Sequence, residues 1–517
     1  MSRWPLRRFV ILAMLATCAG GLSLISGGPA AGRGAGQVPA PEYWPTVGWR
    51  ESTPERQGID SAGLLKLFEY VREHHARVHS VLIIRNGFVV LDASFFPYRG
   101  DTVHDLASVT KSVTSTVIGA AIQDGKITGV DVPALSLFPH DQKLESDLRK
   151  QKITLSDLLT MRSGLACETK NSEAILGEMM HSADWVNFVL NLPMQTDPGT
   201  RFEYCSGNYH ILSAIISKST STSEAEYART ALFAPLGIHD AVWPDDPNGI
   251  THGWGDLHLF PRDTAKIGFL WLHGGVWDGK RLLAETWVRN ATAALTKSTS
   301  RDAGYGYGFW AFTGKRAGEY EALGRGGQRL TVLPQLNAIV VLTGSGFEPD
   351  EIGGTLGAAV KSDHALPDNP AAVEKLHQAI QAALEPPPAG ETSLLSPIAK
   401  AISGRRFNLS ANLLDLSSFT LRFSDQSSAT FEMTVGGTRH EMHDVSLNQR
   451  PAFSSGEFGL PVALSGRWDG DEFVLNYDEV ANNHAYQIRM RFKGNDVELQ
   501  VSDPNGKNPL IIRGTAK

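Results

Sequence analysis

Three consecutive prolines, Pro386-Pro387-Pro388, end a helical pattern and divide the chain into stretches of different periodicity. Proline lacks the backbone N–H that a helix needs, so the amphipathic run from Pro370 to Leu384 must stop at Glu385. The Ala, Gly, Ser and Thr residues that follow make residues 385–397 a stiff-to-flexible linker. Beyond it, residues 398–517 alternate apolar and polar side chains in short runs such as Phe419 to Phe423, Thr430 to Val435, Phe473 to Tyr477 and Tyr486 to Phe492. Turns rich in Gly and Asp separate these runs, which predicts a small antiparallel all-β domain. At 517 residues, with 42% hydrophobic and 20% charged, the chain can bury about two to four domains and is neither disordered nor fibrous.

Before the linker the pattern is mixed. Asp60 or Ser61 caps a helix whose Leu64, Leu67, Phe68 and Val71 recur at helical spacing. Ser80 to Arg85 and Phe88 to Ala93 form a hairpin through Asn86-Gly87, a pair that tolerates the positive φ of a tight turn. Leu106 to Gly125 carries so few charges that it reads as an interior helix. From about Pro133 to Gly275, helical patterns such as Thr154 to Met161 and His210 to Ser217 predict a helical lobe. Strand patterns return at Gly304 to Phe312 and Leu330 to Thr343. A helix and hairpin first, helices in the middle and strands with a helix at the end suit an α+β domain over residues 58–384, an antiparallel sheet flanked by helices plus the lobe, if both ends of the segment share one sheet.

Arg3, Arg7 and Arg8 precede an apolar stretch from Phe9 to about Ile25 and the small residues Gly28-Pro29-Ala30, the layout of an export signal over residues 1–30. An uncleaved signal would anchor the protein in a membrane, because the stretch approaches the ~20 residues a span needs. Residues 31–57 read as a tether, and the expected location is periplasmic or secreted. Cys167 and Cys205 would then meet an oxidising compartment, either as a disulfide or as two buried thiols. The net charge of −7 and the lack of a long Lys/Arg run argue against a nucleic-acid partner.

The residues that carry chemistry begin at Ser108-Val109-Thr110-Lys111. Residues three apart on a helix share a face, so the Lys111 amine can reach Ser108 Oγ. A helix N-terminus and burial both favour the neutral amine, which can take the serine proton and make a nucleophile without histidine. With this segment, three other stretches resemble the serine β-lactamase and penicillin-binding-protein superfamily, in its class C-like branch of esterases, D-aminopeptidases and 6-aminohexanoate-dimer-hydrolase-like amidases. Leu158 to Leu165 resembles the segment that buttresses the family's cleft, Phe202-Glu203-Tyr204-Cys205-Ser206 its Tyr-x-Asn motif, and Gly324-Arg325-Gly326-Gly327-Gln328 its third motif ahead of a buried strand.

The resemblance implies a β-lactamase/transpeptidase-like fold and an acyl-enzyme on Ser108, with Lys111 as activating partner and Tyr204 as proton shuttle. It places the backbone N–H groups of Ser108 and Gln328 in the oxyanion hole, with Gly326 and Gly327 keeping the strand edge open to substrate. Two positions depart from the pattern: Ser206 stands where Asn is usual, and Arg325 replaces Lys or His. Arg325 cannot act as a base but can hold a substrate carboxylate. Tyr305, Tyr307, Phe309 and Trp310 either line an aromatic wall or pack as a strand. The expected partner is a small-molecule ester or amide, with no cofactor. No metal is implied, because His440-Glu441-Met442-His443 misses the spacing of a helical zinc site. The alternatives are a D-Ala-D-Ala peptidase or β-lactamase, and a catalytically silent binding protein of the same fold.

Overall fold

The computed structural model describes residues 38–138, 147–167, 174–297, 302–347, 349–390, 395–503 and 508–516. The expected export signal and the first part of the tether lie outside the described residues. The chain separates into two compact units, one built from the segments up to Phe95 and Val103–Ala383, the other from Leu384 onward together with Phe96–Thr102.

In the first unit the strands are β1 (Arg50–Glu51), β2 (Val78–Arg85), β3 (Phe88–Ser94), β4 (His104–Asp105), β5 (His258–Leu259), β6 (Val276–Trp277), β7 (Lys280–Arg281), β8 (Thr296–Lys297), β9 (Ala303–Tyr305), β10 (Trp310–Phe312), β11 (Tyr320–Leu323), β12 (Arg329–Leu333) and β13 (Ala338–Gly344). Nine of them form one sheet in the order β1-β3-β2-β13-β12-β11-β10-β9-β8. The expected hairpin is present, with Asn86 at φ 51° and Gly87 at φ 84° in its turn. The two ends of the segment share this sheet: β2 pairs antiparallel with β13, Ile84 opposite Ile339.

The helices are α1 (Ser61–Glu73), α2 (Thr110–Gln123), α3 (Leu155–Leu159), α4 (Ala174–His181), α5 (Trp185–Leu190), α6 (Ser206–Thr220), α7 (Glu224–Ala228), α8 (Ala234–Leu236), α9 (Pro261–Leu272), α10 (Glu285–Ala291), α11 (Pro349–Ala359) and α12 (Pro370–Ala383). Asp60 caps α1 by accepting the Ala62 N–H, and Leu64 and Leu67 pack with Val81, Ile83 and Leu342 of the sheet and with Ile352, Leu356 and Leu376 of α11 and α12. Side chains alternate across a strand, so Leu330 and Ile339 point to the opposite face. There α9 lies so close that a Cβ at Gly268 would fall 2.8 Å from Leu330. The helical lobe is thus shorter than the pattern suggested. Residues 261–272 have lobe-like periodicity, but their apolar face covers the sheet.

Among its described residues the second unit has ten strands between Arg406 and Ala516, each antiparallel to its sheet neighbours except at one bridge, where Arg439–Ser446 meets Pro461–Asp469 in parallel and closes a barrel. Closure removes the exposed edges that an open sheet would leave. Its interior is apolar, with Phe407, Phe419, Phe431, Phe473, Leu475, Met490, Leu499 and Ile512 buried. Helix α13 (Pro397–Ile402), capped by Ser396, adds Ala399 and Ile402 to that core. Tyr98, from the inserted Phe96–Thr102, is buried with Ala463, Val480 and Ala481. Among the described residues no helix is long and apolar enough to cross a membrane.

Helix α2 is buried along nearly its whole length, and Gly119 lets it approach α10: a Cβ there would lie 2.4 Å from the Trp287 indole. Alanine is the better helix former by ~1 kcal/mol, but a rigid indole cannot yield. Gly119→Ala is expected to lower stability by about 1–3 kcal/mol, read from the denaturant midpoint, the sign being opposite to helix propensity.

Candidate active site

The helix expected from Leu106 begins later, at Thr110, because Ala107 adopts φ 46°. A left-handed non-glycine residue costs about 1–2 kcal/mol, so the surrounding contacts must hold it. They do so by hydrogen bonds on both sides of the turn. The Asp105 carboxylate accepts the Ala107 N–H at 2.8 Å, and the Leu106 N–H donates to the Leu257 carbonyl at 2.8 Å. Behind them, His104 Nε2 lies 2.8 Å from His79 Nδ1. Burial pushes His104 down to about 4 and His79 well below its ordinary value, so both rings are neutral at neutral pH. Ser108 thereby sits in a separate 3-10 turn, Ala107–Val109, partly accessible at the mouth of α2.

Lys111 is 1% exposed, and its Nζ lies 2.8 Å from Ser108 Oγ and 2.8 Å from the Trp254 carbonyl oxygen. The same amine stands 5.0 Å from the centre of the Tyr204 ring. That ring stacks on Trp310 at 6.2 Å and meets Tyr305 edge-on at 6.3 Å. Phe202 joins the group, 5.5 Å from Tyr305 and 6.0 Å from Trp310. The glycine-spaced aromatics therefore divide. Tyr305 and Trp310 back Tyr204, whereas Tyr307 packs on Trp287 and Phe309 on Trp271, in the core.

Tyr204 is fixed from its C-terminal side by a covalent link. Cys205, the N-cap of α6, is disulfide-bonded to Cys167 with the Cα atoms 5.4 Å apart. Of the two states the sequence left open, the structure has the disulfide. Closing a loop with a sequence separation of 38 removes chain entropy worth about 4 kcal/mol. Glu203 reinforces the link, since its carboxylate accepts the Cys167 N–H at 3.1 Å while its own N–H donates to Met161 O at 2.8 Å. Met161, at φ 58°, belongs to the Leu158–Leu165 stretch, which thus lies directly against the tyrosine segment. Ser206 opens α6 with its hydroxyl buried.

The third stretch lies across from these. A Cβ at Gly324 would fall 2.6 Å from Leu106 O and 3.1 Å from Ala107 Cβ, so the β11–β12 connection abuts the Ser108 turn. Arg325–Gly327 makes a 3-10 turn, with Arg325 half-buried at its start and Gly326 at φ 81°. Gln328 is anchored through its side chain: Nε2 donates to Arg325 O at 2.9 Å and Gly344 O at 2.6 Å, and Oε1 accepts the Gly344 N–H at 2.9 Å. The edge beside Gly327 is filled rather than open, because the Phe347 ring occupies the place a Cβ would take, at 2.3 Å.

Sequence reasoning missed the Trp254 carbonyl, which has no side-chain signature, and the anchoring role of the Gln328 side-chain amide. Asp105, two residues ahead of the Ala107 amide it accepts, is a legible turn signal. Among the described residues no group of His, Cys, Asp and Glu could hold a metal ion.

The beta-lactamase family profile matches residues 66–363, more than half of the chain. The chain belongs to the beta-lactamase family. It is a serine hydrolase of the β-lactamase and penicillin-binding-protein fold. It is 27% identical over 287 residues to the 6-aminohexanoate-dimer hydrolase of Paenarthrobacter ureafaciens, covering 52% of this chain and 73% of that protein. A Salmonella paratyphi A protein named "Putative D-alanyl-D-alanine carboxypeptidase" is 22% identical over 334 residues, covering 51% of this chain and 75% of its own. The structure of the octameric penicillin-binding protein homologue from Pyrococcus abyssi aligns with a TM-score of 0.47 at 18% identity, over 87% of this chain and 99% of that one.

One carboxyl under the nucleophile helix titrates abnormally in this hydrolase. Glu224 is fully buried beside Ser213 and Thr114, and burial pushes its carboxyl up from 4.5 to about 8. The folded state therefore holds a proton that the unfolded chain releases, so stability falls as pH rises from 4.5 towards 8. Glu224→Gln is expected to remove that decline: melting temperatures of variant and parent should separate progressively between those pH values, the variant being the more stable above pH 8.

Proposed function

We propose that the protein cleaves an ester or amide through an acyl-enzyme on Ser108, and that it does so after export. The observation that carries the reading is the 2.8 Å contact between Ser108 Oγ and the buried Lys111 amine, with Tyr204 against that amine. As Ser108 Oγ bonds to the substrate carbonyl carbon, its proton passes to Lys111 Nζ. Tyr204 relays a proton to the leaving nitrogen or oxygen when the C–N or C–O bond breaks. Water then attacks the acyl carbon and frees the acid, restoring the serine hydroxyl. The N–H groups of Ser108 and Gln328 hold the oxyanion, each worth roughly 3 kcal/mol.

The substrate's apolar portion would lie on the face formed by Phe202, Tyr204 and Trp310, which the buried Tyr305 backs, with Arg325 receiving a carboxylate. An amide substrate is supported by the name of the Paenarthrobacter relative. A peptidase acting on a D-alanyl terminus is the second reading, supported by the guanidinium at Arg325, which suits a terminal carboxylate. Export is supported by the basic and apolar residues at the N-terminus and by the Cys167–Cys205 disulfide, which persists in oxidising compartments.

Screening purified protein against p-nitrophenyl esters, amino-acid amides and cephalosporins identifies the acyl and leaving groups. Ser108→Ala is expected to lower kcat at least a thousandfold on whichever substrate turns over, with an unchanged melting temperature. Residual activity above that level would rule out the acyl-enzyme.

A further inference from the structure

We infer that His252, held by Asp256, is a positioning residue that fixes the Trp254 carbonyl against the Lys111 amine; the inference rests on the acyl-enzyme reading above. Residues 252–257 run as a strap along α2 and meet it at three successive places. Thr114 Oγ1 donates to Gly253 O at 2.7 Å, Lys111 Nζ to Trp254 O at 2.8 Å, and the Leu257 N–H to Thr110 Oγ1 at 3.2 Å. Gly253 is wedged in the lobe, since a Cβ there would lie 2.5 Å from Tyr209 O and 2.8 Å from Ser213.

The strap is stapled to itself by His252. Its Nδ1 lies 2.9 Å from Asp256 Oδ2, and the ring sits against Trp185 at 4.6 Å and Trp254 at 5.7 Å, both at shallow angles. Its carbonyl accepts the Trp243 indole N–H at 2.9 Å and the Gly255 N–H at 3.2 Å. Asp256 takes φ 62°, a conformation that a non-glycine residue holds only when its surroundings impose it. A second buried pair, His210 Nε2 with Asp246 Oδ2 at 3.0 Å, also meets Trp185, its ring 5.3 Å from the indole.

The arrangement matters because an amine that takes the Ser108 proton must turn its lone pair toward Oγ. One of its N–H bonds then needs an acceptor elsewhere, and the Trp254 carbonyl is that acceptor. A shift of ~1 Å in a group that orients a reacting atom costs about a hundredfold in rate. The sequence offers no hint of this, since the contact is made by a main-chain oxygen 143 positions from the lysine.

The test uses the full chain. His252→Phe keeps a ring between the tryptophans and removes the donor to Asp256, whereas His252→Asn keeps a donor near the Nδ1 position. Asp256→Ala removes the acceptor from a partly accessible site and covers the case in which the Phe variant fails to fold. Expected are a loss of about a hundredfold in kcat and in the rate of Ser108 labelling by a fluorophosphonate for His252→Phe and Asp256→Ala. KM should stay close to the parent's, melting temperature should fall only modestly for Asp256→Ala, which puts an alanine at φ 62°, and His252→Asn should recover most of the rate. Parent-like kcat in a folded Asp256→Ala or His252→Phe protein overturns the inference, as does a loss that follows melting temperature and is not recovered by Asn. If the parent itself is not labelled at Ser108, the acyl-enzyme reading fails and this inference with it. Labelling of the parent that is matched by the variants defeats the inference alone.

Discussion

The site depends on a lysine amine held out of water between two oxygens. Lys111 Nζ reaches Ser108 Oγ and Trp254 O at equal distances, with the Tyr204 ring beside it. A buried cation is costly unless it is paired or hydrogen-bonded, so an amine in this position must be fixed by its surroundings. Its side chain has four rotatable carbons, and only contacts from several segments can confine it to one geometry. The nucleophile turn, α2, the 252–257 strap and the Tyr204 segment ahead of α6 supply those contacts, and none of them is adjacent in sequence to all the others.

Two of the left-handed residues of the chain lie at the site. Ala107 and Met161 are left-handed non-glycine residues, one immediately before the nucleophile and the other against the tyrosine segment. Each is tied to neighbouring backbone, Ala107 through Asp105 and Met161 through Glu203. Conformations of this kind persist where surrounding structure over-determines them, and the disulfide at Cys205 adds a covalent constraint one residue from Tyr204. The β11–β12 turn is fixed differently, by the Gln328 amide bonding both backbone groups of Gly344. The barrel unit closes around its own apolar core.

Much of this was legible in the chain. The turn at Asn86-Gly87, the α1 stripe and the β alternation beyond the prolines are local patterns, each set by a period or a turn residue. Ser108 and Lys111 were legible because a helical turn joins residues three apart. The resemblance placed Tyr204 and the Gly324–Gln328 stretch in the same cleft. The expected start of the interior helix was wrong by four residues, because apolar composition says nothing about the left-handed kink at Ala107. The lobe is shorter than its pattern for a similar reason: the periodicity of residues 261–272 gives a buried face but not the surface that covers it.

By itself the sequence determined the two kinds of domain and the spacing of the reacting pair, since strand alternation, helical period and proline breaks act within a few residues. Only the tertiary structure decided that Cys167 and Cys205 pair, that Phe347 fills the space at Gly327, and that the Trp254 carbonyl faces Lys111. These contacts join segments far apart in the chain, and a main-chain oxygen is the same in every residue. Their geometry exists only once the helices and the sheet have packed.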